Sequence, residues 1–446
     1  MNVSSAPGLR IAVVGSGVSG LSAAWLLSTR HDVTLFEQAE RLGGHANTVS
    51  IEGARGSVEV DIGFIVFNHE TYPNLVAMFD YLGVETYETE MSFSVSRHNG
   101  GLEYAGTNLA ALFAQPLNMV RLRFWSMLRD LRRFYATAPL DLPELALRPL
   151  SLGAYLARHK YSAWFRDDHL LPMAAAIWSA DANTMLDYPA AAFIRFYENH
   201  GLLKLRARPA WHTVIGGSKA YVRKLAETLG GNVRSGTKIV NVTRGTHGVA
   251  VRMRNGETER FDHVVLATHA DDALALLGDA SEKERSLLSS FRYAPNRALL
   301  HTDARLMPRR QRVWSSWNYI ENGGAHVTYW MNRLQRIPSE PQLFVTLNPS
   351  ASPAQDTILK SEYYAHPVFD ARAVEAQKHL WSLQGERNTW YCGAYFGAGF
   401  HEDGLQAGLA VAEDLGCVRR PWRVHNESGR IARGPCIASS AVEVAS

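Results

Sequence analysis

Near its start the chain carries Gly15, Gly17 and Gly20 in GxGxxG order, "VVGSGVSG", between the apolar run Ile11–Val14 and a helical pattern from Leu21 to Ser28. A strand that turns on glycines into a helix opens a doubly wound α/β unit built to bind a dinucleotide. Gly15 permits the tight turn, Gly17 omits a Cβ so that a diphosphate can approach, and Gly20 lets the helix pack close to the strand. The helix start then offers free N–H groups and partial positive charge to the phosphates. A second strand, Val33–Phe36, is closed by Glu37, twenty residues after Gly17. A carboxylate there accepts ribose hydroxyls and disfavours a 2′-phosphate. In "RLGGH", Arg41–His45, the adjacent Gly43 and Gly44 allow a second loop near the same phosphates, with Arg41 as a charge partner.

The chain has 446 residues, more than the about 250–300 at which single cores stop growing, so two or three domains are expected. Composition shifts place a nucleotide-binding part at 1–75 and a helical part at 76–212. A second nucleotide-binding part follows at 213–280, a sheet at 281–385, a third nucleotide-binding part at 386–418 and a flexible tail at 419–446. The spacing predicts a helix over about 219–229, a hairpin turning at Asn255-Gly256, and a last helix over Leu405–Leu415 that starts at Asp403-Gly404. A net charge of +3 gives no global argument for nucleic acid. Cys392, Cys417 and Cys436 have no CxxC spacing, so neither a disulfide framework nor a metal site is expected. No run approaches the roughly 20 apolar residues of a membrane span, and a cytoplasmic protein is expected.

In order, "VVGSGVSG", Glu37, "ERLGGHANT" and "VDIGFIVFN" resemble the flavin-containing amine oxidase and phytoene desaturase superfamily. The resemblance continues through "VIGGSKAYVRKLAETLG", "FDHVVLATHADDALALL" and "WYCGAYFGAGFHEDGLQAGLAVAEDLG". "GFHEDGLQAG" together with "WSSWNY" and "VTYWMNRLQ" is similar to a bacterial branch of oxidoreductases that occurs with cyclopropane-fatty-acid-synthase-like methyltransferases and includes a desaturase of methylated fatty acids. The resemblance implies an α/β, Rossmann-like FAD-binding domain of the glutathione-reductase type, amine-oxidase subgroup, with an interleaved substrate domain of mixed sheet plus helices. It implies FAD as cofactor and a methyltransferase as a partner. Gly15, Gly17, Ser19, Gly20, Glu37, Arg41, Gly43 and Gly44 fall to the adenosine and diphosphate half, and Ile239 or Val240 to the adenine. Gly393, Glu402, Asp403, Gly404 and Leu405 fall to the ribityl chain and ring, with the last helix directing N–H groups at the flavin. Ala394 stands where many relatives place an acid for the ribityl hydroxyls. Either Glu402 or Asp403 takes that duty, or backbone groups do.

Oxidation of a C–H bond by a flavin asks for a carbon facing N5 in a dry pocket. The strand Asn296–Pro308 carries no lysine of the kind that holds water near N5 in amine oxidases, and offers His301 and Asp303 instead. His401 is either a proton shuttle or a hydrogen-bonding loop residue, and Glu402 and His301 are the other acid/base candidates. Asp61 is either a catalytic acid or a pin for its own loop. Tyr329, Trp330, Tyr391, Tyr395 and Phe396 line an apolar pocket or fill the core. Between Leu109 and Tyr135, five arginines interleave with Leu, Phe, Trp and Met, the pattern of a helix lying on an anionic lipid surface or of one packed on a domain. The expected reaction is dehydrogenation or desaturation of a hydrophobic substrate, a lipid or methylated fatty acyl chain first. The alternatives are an amine or porphyrinogen oxidase and a flavoprotein without turnover that partners a methyltransferase. No second GxGxxG follows a strand, so direct use of NADH is not expected.

Overall fold

The computed structural model describes residues 8–53, 56–178, 184–199, 201–204, 208–246, 248–338 and 340–434. Its base is a five-stranded parallel sheet drawn from three separated stretches of chain. The order is Val233–Arg234, Asp32–Phe36, Arg10–Val14, His263–Leu266, Thr389–Tyr391. Central strands run apolar, as in "IAVV" of Ile11–Val14 and "VVL" of Val264–Leu266, because both faces are covered. On one side lies helix Val18–Leu27, all ten residues of which are buried. An antiparallel sheet of Ile239–Gly245, Gly248–Met253 and Thr258–Phe261 joins the same core, the Phe261 ring meeting Phe36 edge-on at 5.9 Å.

A seven-stranded sheet stands beside this unit, in the order Ile358–Val368, Arg292–His301, Phe344–Leu347, Ala325–Trp330, Trp317–Glu321, Phe93–Arg97, Leu102–Ala105. Its pairs are antiparallel except that of Trp317–Glu321 with Phe93–Arg97. Helices between Leu109 and Asn199 form a third body with its own core around Phe134, Tyr155, Phe165 and Phe193. The architecture is therefore α/β, a Rossmann-like unit with an interleaved body of mixed sheet and helices.

The final helix, His401–Gly416, starts four residues before the expected Leu405. Phe400 is its N-cap, and Asp403, at the third position, accepts the Phe400 N–H at 2.8 Å. This helix lies directly on helix Val18–Leu27, and small residues set the distance. A Cβ on Gly404 would meet Ser19 Oγ at 2.8 Å, and one on Gly408 would fall against the Ser19 carbonyl oxygen, far inside van der Waals contact.

Two other expectations change. The stretch 109–135 is not one helix, since Pro116 begins a separate turn and leaves helices Leu109–Leu112 and Leu122–Thr137. The flexible tail expected from 419 is held down as far as 434. Arg420 is buried and bonds Glu413 and Asn74, Trp422 stacks on Trp25 at 5.6 Å, and Arg430 pairs with Asp403 at 2.6 Å. Residues 435–446, with Cys436, lie outside the described residues.

Gly408→Ala is expected to push the two helices apart and to cost about 1–3 kcal/mol, the range for overpacking a tight core. Urea unfolding monitored by circular dichroism measures this; an unchanged midpoint would contradict the close packing.

Candidate functional site

A cavity of about 970 Å³ is lined at one end by Gly15–Ser19, Glu37 and Val240, then by Gly393, Ala394 and His401, and at the other end by Ile177, Trp178, Phe196 and Trp211. That volume sits at the top of the roughly 300–1,000 Å³ usual for small-molecule sites, as a dinucleotide with a substrate requires. The three glycines of the first turn act differently. Gly15 has φ +104° and turns the chain beneath the Ala267 carbonyl, where a Cβ would come within 2.8 Å. Gly17 lines the cavity, and a Cβ there would meet no protein atom within 4 Å, so the space beside it is free for a ligand. Gly20 faces the Gly15 carbonyl with no room for a side chain.

Glu37 is fixed before any ligand arrives. Its Oε2 accepts the Ser16 N–H at 2.9 Å and hydroxyl at 2.7 Å, and its Oε1 accepts the Ala39 N–H at 2.9 Å. The second glycine loop closes on the first: Gly43 N–H donates to the Ser16 carbonyl at 3.0 Å, and Gly44 (φ +57°) has Gly17 Cα 3.1 Å from its Cβ position. Arg41 lines the cavity and donates to the Gly44 carbonyl at 2.7 Å, bracing that loop. Val240 faces the cavity beside Ile239, at an irregularity in the pairing of strand Ile239–Gly245. Ser19 also lines it, whereas Gly20 and Gly43 serve the packing behind the wall.

At the middle of the cavity the structure corrects several expectations. Glu402 is buried outside the cavity lining. Its Oε1 accepts the Asn74 N–H at 3.1 Å and amide at 2.9 Å, and its Oε2 the Leu75 N–H at 3.0 Å. It thus caps helix Pro73–Leu82, whose own N-cap residue, Tyr72, does not cap it with its side chain. Burial pushes its pKa up. His301 also lies off the cavity, in the seven-stranded sheet, with Nε2 2.7 Å from Thr346 Oγ1 and Nδ1 accepting the Asp303 N–H at 3.1 Å. Asp403, Gly404 and Leu405 do not line the cavity either: Asp403 is committed to Phe400 and Arg430, Gly404 to Ser19, and Leu405 to the core. Asp61 pins distant segments rather than its own loop. It accepts the Thr48 hydroxyl at 2.6 Å, the Ser218 hydroxyl at 2.7 Å and the Gln335 amide at 2.8 Å, while burial raises its pKa to about 6.

His401 does reach the cavity. Its ring stacks on Phe64 at 3.7 Å and its Nε2 lies 2.8 Å from the Tyr221 hydroxyl. Burial lowers its pKa to about 3, so the ring is neutral near pH 7 and does not titrate there as a proton shuttle would. Three further histidines of the wall, His45, His269 and His366, were not expected. His45 lies 5.3 Å from His366, 6.2 Å from His269 and stacks on Tyr364 at 5.0 Å; His269 stacks on Tyr293 at 4.3 Å. Burial lowers the pKa of all three, and for His45 the facing imidazoles add to it. His45 Nε2 is buried without a hydrogen-bond partner among the described residues, as a group awaiting a ligand would be. His45 stands inside "RLGGH" and His269 inside "LATHA", so motifs of the sequence mark both; His366, on a long strand, carries no such mark.

The family profile described as flavin containing amine oxidoreductase matches residues 18–350, well over half of the chain. The chain belongs to this family. FAD is accordingly its cofactor, and the protein is a flavin-dependent oxidoreductase. An L-amino-acid oxidase of Pseudechis australis is 55% identical over 40 residues, a match that spans 9% of this chain and 8% of that protein. A fatty acid isomerase of P. acnes that produces CLA has the same fold, with TM-score 0.65, 16% identity, and coverage of 91% of this chain and 98% of its own. Cyclohexylamine oxidase of Brevibacterium oxydans IH-35A has TM-score 0.64, 16% identity, and coverage of 92% and 100%. The open space at Gly17, the preset Glu37 carboxylate and the orphaned His45 Nε2 fit a bound dinucleotide.

Glu402→Ala is expected to leave the buried Asn74 and Leu75 N–H groups unpaired and to destabilise the protein by about 1–3 kcal/mol. Flavin content and the visible spectrum of the folded variant should be unchanged; loss of flavin at unaltered stability would place Glu402 in the site after all. Four histidines, two buried in the core and two in the cavity wall, also make stability depend on pH. Burial holds His301, His366 and His169 at about 4 and His401 at about 3, against about 6.5 in the unfolded chain. The unfolded state therefore takes up more protons below about pH 6.5, and stability falls as pH drops from there toward about 4. Asp61 and Glu402, whose folded values burial raises, oppose this and are outnumbered by the histidines. The urea midpoint of the flavin-free protein should fall between about pH 7 and about pH 5, and a flat or rising profile would contradict the neutral burial.

Proposed function

We propose that this protein dehydrogenates or desaturates an uncharged, elongated hydrophobic substrate, a lipid or fatty acyl chain, in the apolar end of the cavity. The distribution of charge along the wall carries this reading. The lining acids, Glu37 and Asp272, and the lining cations, Arg41 and Lys238, belong to the nucleotide-binding parts of the chain. The far end is walled by Met91, Ile177, Trp178, Phe196, Trp317 and Leu347, with no charged side chain. An acyl chain loses nothing by leaving water for such a surface, whereas a carboxylate-free end offers an ammonium no counter-charge. The likeness in fold to a fatty acid isomerase is in keeping with this choice.

Gly15–Gly17 and the start of helix Val18–Leu27 hold the diphosphate in this reading, Glu37 the ribose, and Ile239 with Val240 the adenine. Gly393, Ala394 and His401 face the ring side. The bound flavin supplies a hydride acceptor; the protein's share is to hold the chain against it and to exclude water. His401, neutral and tied to Tyr221, acts as a polar wall rather than as the acid of the reaction. Aromatic walls such as Trp317 and Tyr329, 4.8 Å apart at 71°, favour a second reading as an amine oxidase, since they can hold a cation over their faces.

Anaerobic mixing of the yellow holoprotein with fatty acids, phospholipids and amines separates the two. Bleaching of the visible flavin band by acyl substrates is expected; bleaching by amines alone would sink the lipid reading. Ile177→Asp, which sets an unpaired carboxylate in the apolar end, should abolish reduction by the acyl substrate while FAD stays bound.

A further inference from the structure

Between Asn108 and Trp125 the chain is built inside out. Leu109, Val120 and Leu122 are 74%, 73% and 87% exposed, and Leu117, Met119 and Trp125 about half exposed. Polar residues of the same stretch are spent on bonds to the protein itself, and two of them, Gln115 and Asn118, are buried. Asn108 caps helix Leu109–Leu112 by accepting the Ala111 N–H at 2.8 Å. Gln115 accepts the Glu103 N–H at 3.0 Å, and the fully buried Asn118 donates to the Glu103 carbonyl at 3.2 Å. Trp125 Nε1 donates to the Met119 carbonyl at 2.8 Å, and Arg121 to the Gly101 carbonyl at 2.8 Å. These bonds hold the apolar side chains outward on an ordered support, and such a patch marks an interaction surface.

The charge around it selects the partner. Residues 109–135 contain five arginines, 121, 123, 129, 132 and 133, and one acid, Asp130, which is buried, leaving five minus one, or +4. Arg129, Arg132 and Arg133 are exposed on helix Leu122–Thr137 next to the apolar residues. A second copy of this chain docking through the same patch would set +4 against +4. An anionic bilayer accepts both halves of the surface, apolar groups below the headgroups and guanidiniums among them, with Trp125 at the boundary. The inner side of the same helix, Phe124 and Met127, packs in one core cluster with Ala176 and Tyr329, beside Ile177 of the cavity's apolar end.

We infer that residues 109–135 dock this protein on the surface of anionic membranes. The docking does not depend on the substrate reading, because it is measured by binding and not by turnover. Flotation of the holoprotein with vesicles of phosphatidylcholine alone, and of phosphatidylcholine with about one third phosphatidylglycerol, tests it. Binding to the mixed vesicles is expected, falling with added salt. Leu117→Ser/Val120→Ser/Leu122→Ser and Arg129→Gln/Arg132→Gln should each weaken it by about tenfold or more at unchanged flavin content and melting temperature. Absence of binding, equal binding to both vesicle types, or unchanged binding of both variants would overturn the inference. So would a wild-type dimer that the triple serine variant turns into a monomer, since the patch would then be a contact between copies.

Discussion

Everything at the cavity depends on how closely two helices and a strand can approach where side chains are missing. Gly20 lies on the Gly15 carbonyl, and Gly404 and Gly408 lie on Ser19 and Ser22. This contact brings residues 15–20, at the start of the chain, against residues 393–408, near its end. The cavity wall is continuous only because of it: Gly17 and Ser19 on one side, Gly393, Ala394 and His401 on the other. A methyl group anywhere in that seam would separate the part that grips a diphosphate from the part that faces the flavin ring. The demand for glycine is therefore collective, and the most exacting positions, 20 and 408, are not ones that a ligand touches.

Much of the fold is legible in the sequence because it rests on short-range rules. Glycine spacing after an apolar strand marks the first turn, and Asn255-Gly256 marks the hairpin between Gly248–Met253 and Thr258–Phe261. Burial on both faces makes the parallel strands continuous apolar runs. The nucleotide end of the site, Gly15, Gly17, Glu37, Arg41 and Gly44, is legible for the same reason, since it sits within thirty residues of chain. The middle of the site is not. "HEDG" reads equally as a loop aimed at a flavin or as the first turn of a helix. Only the partners of Glu402, the N–H groups of Asn74 and Leu75 more than three hundred residues away, decide for the latter. His366 reaches the cavity by a strand pairing with Arg292–His301, a register that no local pattern encodes.

The acids show why a motif full of carboxylates is a poor guide to catalysis in such a fold. Glu402, Asp403 and Asp61 are all buried, and each spends its oxygens on N–H, hydroxyl or guanidinium donors from other segments. A buried carboxylate is tolerated only when so paired, and one that is paired has little left for a substrate. Their work is to fasten the interleaved stretches of chain: Glu402 joins the last helix to helix Pro73–Leu82, and Asp61 joins Thr48, Ser218 and Gln335. What remains in the cavity wall beyond the nucleotide is neutral.

That neutrality extends to the imidazoles. His45, His269, His366 and His401 would be a strongly positive group if protonated, and burial keeps them uncharged. Four neutral rings give the middle of the cavity hydrogen-bonding capacity without fixed charge, between an end that suits a dinucleotide and an end that suits hydrocarbon. The diphosphate and any negative charge on the reduced ring then set the local potential themselves, with the helix dipoles, Arg41 and Lys238 as the permanent positive contributions. A wall of this kind responds to its ligand instead of repelling or trapping it. The Nε2 of His45, without a partner among the described residues and next to the second glycine loop, is free to take part in that response.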